Sequence, residues 1–276
     1  MFDEFFWTKV SEKRNDLTRV YEPIQIDLLR SLASRCANAV FLDIGANIGV
    51  YSIMLSRENS FSEFHAFEAL SSLSMEIQKN LNLNDLQDLI HVHQVVLSDG
   101  AGEVEFIVRS DFAGDGGVRS THQFSNFPYD RIEKLQKVAL DGVVQIRGRD
   151  IVAKIDVEGH ELMVLQGAKD TLRNNKGFLQ IEILKNELLA ETESLLASLG
   201  WFRLFTIDRD YYFSNIPDLD NADIRLELLE SGLQTFVDRS RVGIGSPGRK
   251  RIVPGIVLEM RRSYVRRIKR LLRREP

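Results

Sequence analysis

The 276-residue chain predicts an α/β protein built on a mostly parallel sheet with helices on both faces. Three observations carry this. Short, unbroken apolar runs alternate with segments of helical periodicity, the pattern of strands buried on both sides. A glycine-bearing loop, Asp43-Ile-Gly45-Ala46-Asn47-Ile-Gly49, follows the first apolar run and leads into a segment able to turn helical. Near residue 210, two apolar runs are joined by only Asp208, Arg209 and Asp210, a link so short that it forces an antiparallel pair.

In chain order, residues 1–38 read as a preparatory helical segment, with Ile24, Leu28, Leu29 and Leu32 at helical spacing. Val40, Phe41 and Leu42 form the first strand, which ends in Asp43. Residues 64–67 are a short strand ending in Glu68, and Leu70, Leu73, Ile77 and Leu81 mark one face of the next helix. Residues 90–97 and 151–157 follow as strands, the second apolar except for Lys154 and Asp156. Leu162, Leu165, Ala168 and Leu172 give one helix, 178–184 a strand, and 202–207 with 211–213 the hairpin. Between 100 and 150 the alternation breaks. That stretch reads as an edge strand at 104–108, a loose segment at 114–117 and a strand at 137–140, a long irregular insertion of the kind that serves as a lid or substrate loop.

Bulk composition bounds the class. Apolar content of 43% and charge of 28% are ordinary for a soluble enzyme. No apolar run reaches the length of a membrane span, and residues 1–14 are too charged for a secretory signal, so a cytoplasmic protein is expected. The single cysteine, Cys36, excludes an intrachain disulfide or a thiolate metal cluster. The net charge of −4 hides a strong asymmetry: residues 248–276 hold 11 Lys/Arg and 2 Glu, whereas the rest is acidic. Tyr264, Val265, Ile268, Leu271 and Leu272 lie at helical spacing among the arginines of this tail. Such a basic amphipathic helix suits either an anionic membrane surface or docking on the acidic body. Nucleic acid is disfavoured as a partner, because the acidic body repels phosphate.

The first loop does not have the Gly-x-Gly-x-x-Gly spacing of dinucleotide binders. A carboxylate at Asp43 would repel a pyrophosphate; it suits a ligand with an ammonium and no phosphate, such as S-adenosylmethionine, and a side chain at Gly45 would fill space that the ligand needs. Glu68, 23 positions after Gly45, is suited to accept ribose hydroxyls. A second cluster, Lys154-Ile-Asp156-Val-Glu158-Gly-His160-Glu161, crowds four chemically capable side chains into a strand-to-helix turn. Capping of the helix dipole alone would also explain Glu158 or Glu161.

Together, residues 41–49, Phe67-Glu68, Leu97-Ser98-Asp99, Leu140-Asp141, residues 155–161, Leu165-x-Gly-Ala168 and Gln180-Ile-Glu182 resemble the FkbM-type methyltransferase family over roughly residues 38–215. The resemblance implies a class I methyltransferase (Rossmann-like) fold of seven strands, six parallel and one antiparallel, with S-adenosyl-L-methionine across their carboxyl ends. It implies O-methylation of a small-molecule hydroxyl, such as a saccharide, glycan or polyketide-like metabolite. The chain then divides into an N-terminal helical segment (1–38), a methyltransferase domain (39–215), a C-terminal extension (216–247) and a basic tail (248–276). By matched position, Asp43, Gly45, Ala46, Asn47, Gly49, Glu68, Leu97, Ser98 and Asp156 form the cofactor site. Asp156, Glu158 and His160 form the catalytic set, with His160 as general base. His122 competes for that role, and a Mg²⁺ shared by Asp156 and Glu182 is a third route to an acidified hydroxyl. A non-catalytic cofactor-binding module remains an alternative, and an RNA methyltransferase a weaker one.

Overall fold

The computed structural model describes residues 22–108, 116–121 and 129–242. The basic tail, His122 and most of the N-terminal segment lie outside the described residues.

Seven strands form the central sheet: β1 (Ala39–Ile44), β2 (Phe61–Glu68), β3 (Ile90–Gln94), β8 (Asp150–Ile155), β9 (Lys176–Glu182), β10 (Phe202–Ile207) and β11 (Asp210–Ser214). Their order is β10-β11-β9-β8-β1-β2-β3. All neighbours from β9 to β3 pair in parallel, while β11 is antiparallel to both β9 and β10. This is the topology expected of a class I methyltransferase sheet, with the hairpin supplying its one antiparallel strand.

Strand alternation sends successive side chains to opposite faces. Phe41, Val152, Phe178 and Tyr212 pack under α1 (Pro23–Ala33), α2 (Val50–Leu55), α3 (Ser71–Leu83) and α8 (Ala222–Val242). Leu42, Ala153, Leu179 and Phe213 pack on the other face with Leu140 of α4 (Leu140–Val143), Val164 of α5 (Glu161–Gln166), Leu172 of α6 (Lys169–Asn174) and Leu196 of α7 (Asn186–Ser198). The segment after the hairpin joins this core: Leu228, Leu229 and Leu233 of α8 are buried with Leu28 and Leu29 of α1. At the crossing, a Cβ on Gly232 would stand 2.3 Å from Leu28 Cδ2, so a side chain there would force Leu28 to move.

Three elements differ from the sequence expectation. The strand expected at 90–97 is two strands. After β3 the chain turns at Val95, whose N–H donates to Glu68 O, and β4 (Val96–Leu97) joins a different sheet. In that second sheet β4, β5 (Gly102–Val108), β6 (Gly117–Val118) and β7 (Arg131–Val138) run in the order β4-β7-β5-β6; β5 contains the expected edge strand at 104–108, whereas the strand expected at 137–140 begins at Arg131 and ends at Val138. The helix expected across 162–172 is likewise two short ones. They break at Gly167, where a Cβ would lie 1.9 Å from the Ser98 carbonyl oxygen.

Candidate active site

The expected site residues gather at the carboxyl ends of β1, β2 and β8, with the start of the second sheet beside them. Gly45 (φ 80°), Asn47 (φ 53°) and Gly49 (φ 83°) carry the chain through left-handed conformations between β1 and α2. Gly45 and Ala46 both donate their N–H to Phe67 O, and Gly49 N–H closes on Ala46 O. Glu68 ties the loop down: its Oε2 accepts from Asn47 N–H at 3.0 Å and its Oε1 from Leu70 N–H at 2.9 Å. Burial pushes its carboxyl up to about 7 against these hydrogen bonds.

The space beside Gly45 is not a ligand's space. A Cβ there would stand 1.8 Å from the Asp156 carbonyl oxygen, and Asp156 N–H donates to Ile44 O at 3.0 Å. The glycine therefore lets the first loop close on the turn after β8, which corrects the reading of its vacancy as room for the cofactor. Asp43 is 1% exposed, and its Oδ2 accepts from both the N–H (3.0 Å) and the hydroxyl (2.7 Å) of Ser52. In this arrangement it anchors the start of α2, a partner that sequence spacing did not reveal.

Past β8 the chain turns sharply, with Glu158 at φ 54° and Gly159 at φ 101°. Glu161 holds the turn: its Oε1 accepts from Gly159 N–H at 2.9 Å and Val157 N–H at 3.3 Å. Asp156 lies beside the first loop, its Oδ2 accepting from Lys154 Nζ at 2.8 Å. Lys154 itself is 4% exposed and rests over the Tyr51 ring. It belongs to a buried polar row that crosses four strands in register, Asp43–Lys154–Gln180–Tyr212. A lysine inside an apolar strand was the sequence signal for this row; its partners were not legible.

Glu182 and Asp210, opposite each other on β9 and β11, border the row. Desolvation, then the charges of Asp156, Asp210 and Glu22, push Glu182 up to about 9. Desolvation and Glu22 push Asp210 up to about 7, although Gln180 and Gln25 donate to it. The expected magnesium pair is not supported: Asp156 already answers Lys154, and among the described residues no group of three or more His, Cys, Asp or Glu is arranged to hold a metal ion.

His160 is 5% exposed with both ring nitrogens engaged: Nδ1 with Thr121 Oγ1 and Nε2 with Ser98 Oγ, each at 2.9 Å. Desolvation, helped by the Lys137 charge, pulls the imidazole down to about 4. No ring nitrogen is left bare to take a proton from an acceptor, so the geometry gives His160 a bridging place rather than the one expected of a base. Leu97 and Ser98, 4% and 1% exposed, start the second sheet beside it.

Comparison with known proteins identifies the family. Residues 43–204 match the methyltransferase FkbM domain. Methyltransferase sdnD of Sordaria araneosa is 26% identical over 179 residues, covering 55% of this chain and 68% of that protein. An FkbM methyltransferase from Methylobacillus flagellatus KT superposes with a TM-score of 0.45 at 19% identity, over 64% of this chain and 43% of that one, so this chain spans less than half of its length. A precorrin-6y C5,15-methyltransferase from Geobacter metallireducens GS-15 gives 0.40 at 12% identity, over 68% and 83%. With the match extending over more than half of its residues, the chain belongs to the FkbM methyltransferase family.

Proposed function

We propose that this methyltransferase moves a methyl group from S-adenosyl-L-methionine to a hydroxyl of a saccharide, glycan or related small metabolite. The observation that carries the reading is the direct packing of the glycine loop on the Asp156 turn, which joins a nucleoside-type loop to an acid-bearing strand end. The donor set fits the cofactor: Glu68 offers a carboxylate to a ribose, Asn47 and its neighbours line the loop, and Leu97 and Ser98 border the base. When bound, the cofactor supplies an electrophilic methyl on a sulfonium.

Methyl transfer to oxygen is an in-line displacement, so most of the rate enhancement comes from positioning. In this reading Asp156 faces the acceptor, orients its hydroxyl and takes its proton. Lys154 holds the carboxylate in place through the hydrogen bond from its Nζ to Asp156 Oδ2. Glu158, beside it in the turn, completes the acceptor side.

The test is transfer of a labelled methyl group to a panel of free sugars, methyl glycosides and simple polyols. Acceptor-dependent incorporation is the expected result. Asp156→Asn should lower kcat by about 100-fold or more while changing affinity for S-adenosylhomocysteine by no more than about threefold. Binding of S-adenosylhomocysteine with no transfer to any acceptor would favour a non-catalytic module instead.

A further inference from the structure

The hydrogen bonds around His160 have a direction. Lys137 Nζ and the Ser98 hydroxyl both donate to Asp99 Oδ1, and these two bonds hold the Asp99 carboxyl below its usual range, as an anion. Ser98 has one proton and gives it to Asp99, so toward His160 its oxygen can only accept. The proton between them is therefore on Nε2, which leaves Nδ1 unprotonated to accept from the Thr121 hydroxyl at 2.9 Å, a shorter contact than the 3.3 Å from that hydroxyl to the Val118 carbonyl oxygen. One tautomer of a neutral imidazole satisfies the whole chain, Thr121 to His160 to Ser98 to Asp99.

This relay joins three parts of the molecule. Thr121 follows β6 at one edge of the second sheet, and Lys185, just after β9, donates its Nζ to the Thr121 carbonyl at 2.8 Å. Ser98 follows β4 at the opposite edge of that sheet, and its N–H donates to Val138 O of β7 at 2.8 Å. His160 belongs to the turn after β8. The Ser98 carbonyl fills the space where a Cβ on Gly167 would be, so the segment is also packed against the break between α5 and α6. Ser98 is thus held from three sides, and His160 is the one contact that also reaches the far edge of the sheet.

We infer that His160 is a neutral positioning residue, which through Ser98 and Thr121 locks the adenine-bordering segment and the second sheet to the turn carrying Asp156. The inference rests on the cofactor reading above for the ligand that Ser98 borders. It assigns His160 to holding the cofactor wall, and proton removal to another group. The depressed imidazole agrees, since a ring that stays neutral across the physiological range keeps both of its bonds.

Two measurements on the full chain test it, neither needing the acceptor: ring ¹⁵N shifts of His160 between pH 5 and 8, and calorimetric titration with S-adenosylhomocysteine. His160 should appear as the Nε2–H tautomer and show no titration midpoint above pH 5. Thr121→Val, which removes only the hydroxyl donor, should weaken S-adenosylhomocysteine binding about tenfold, and Thr121→Ser should restore it. His160→Ala should resemble Thr121→Val, with a double variant no worse than either single one. Should His160→Ala fail to fold, Thr121→Val still decides. A midpoint near 6.5, or Thr121→Val binding within twofold of wild type, would overturn the relay. Wild-type protein that does not bind S-adenosylhomocysteine would instead overturn the cofactor reading, and with it the ligand-facing half of the inference.

Discussion

Gly45 is where the two loops of the site meet. A methyl there would collide with the Asp156 carbonyl at 1.8 Å, and a φ of 80° is itself unfavourable for any side chain. Gly45→Ala is therefore expected to destabilise the fold by about 2–4 kcal/mol, a Tm loss of roughly 4–15 °C by calorimetry. An unchanged Tm would mean that the loops do not touch as described. Glu68 is the complementary case, because its charge faces both the loop and the proposed ribose. Glu68→Gln keeps one acceptor oxygen, so the fold should survive. Loss of a charge-assisted hydrogen bond of about 1.5–3 kcal/mol should weaken S-adenosylhomocysteine binding by roughly 10- to 150-fold. Titration of the folded variant checks this. Both residues stood out in the sequence through their spacing. Ser52 and Thr121 did not, since a lone hydroxyl residue has no periodicity and its partner lies elsewhere in the chain.

At the scale of elements, the strands of the central sheet were legible because both of their faces are buried, which makes their sequences continuously apolar. Of the second sheet only part was legible: the edge strand at 104–108, which lies within β5, and the last residues of β7. β7, Arg-Ile-Glu-Lys-Leu-Gln-Lys-Val, is partly exposed along its whole length, and β6 has two residues, so neither imprints a hydrophobic run. The split of residues 90–97 was hidden because an apolar run does not record which sheet it joins. Helix α8 was also illegible in its role: its apolar residues are too sparse to announce that α1 is their partner. Leu229 lies fully buried at that contact, so Leu229→Ala should cost about 2–5 kcal/mol in urea unfolding, in line with other core leucine truncations. A cost below about 1 kcal/mol would show that α8 is not part of the core.

Across the whole molecule, the buried carboxyls oppose the buried imidazoles. Glu68, Glu161 and Asp210 at about 7 and Glu182 at about 9 hold protons more tightly folded than unfolded. The stability they contribute is complete below about pH 4, the unfolded carboxyl range, and is lost as pH rises through 7 to 9. His65 and His93, both lowered chiefly by burial, and His160 at about 4 bind protons less readily when folded. Their contribution is present above about pH 6.5 and is lost as pH falls below it. Thermal melts should therefore place the highest Tm on the acid side of neutrality and show a decline by pH 9; a Tm that climbs steadily from pH 6 to 9 would contradict the buried acid cluster. Asp156 and Glu158 form the proposed acceptor side, while the glycine loop and Glu68 form the proposed cofactor side. The central claim is that these two sides make one methyltransferase site, and calorimetric titration of the full chain with S-adenosylhomocysteine tests it most directly. Saturable binding at one site per chain, weakened at least about tenfold by Glu68→Gln in a protein that remains folded, is the expected result. No binding to the wild-type chain, or equal binding to both proteins, would contradict it.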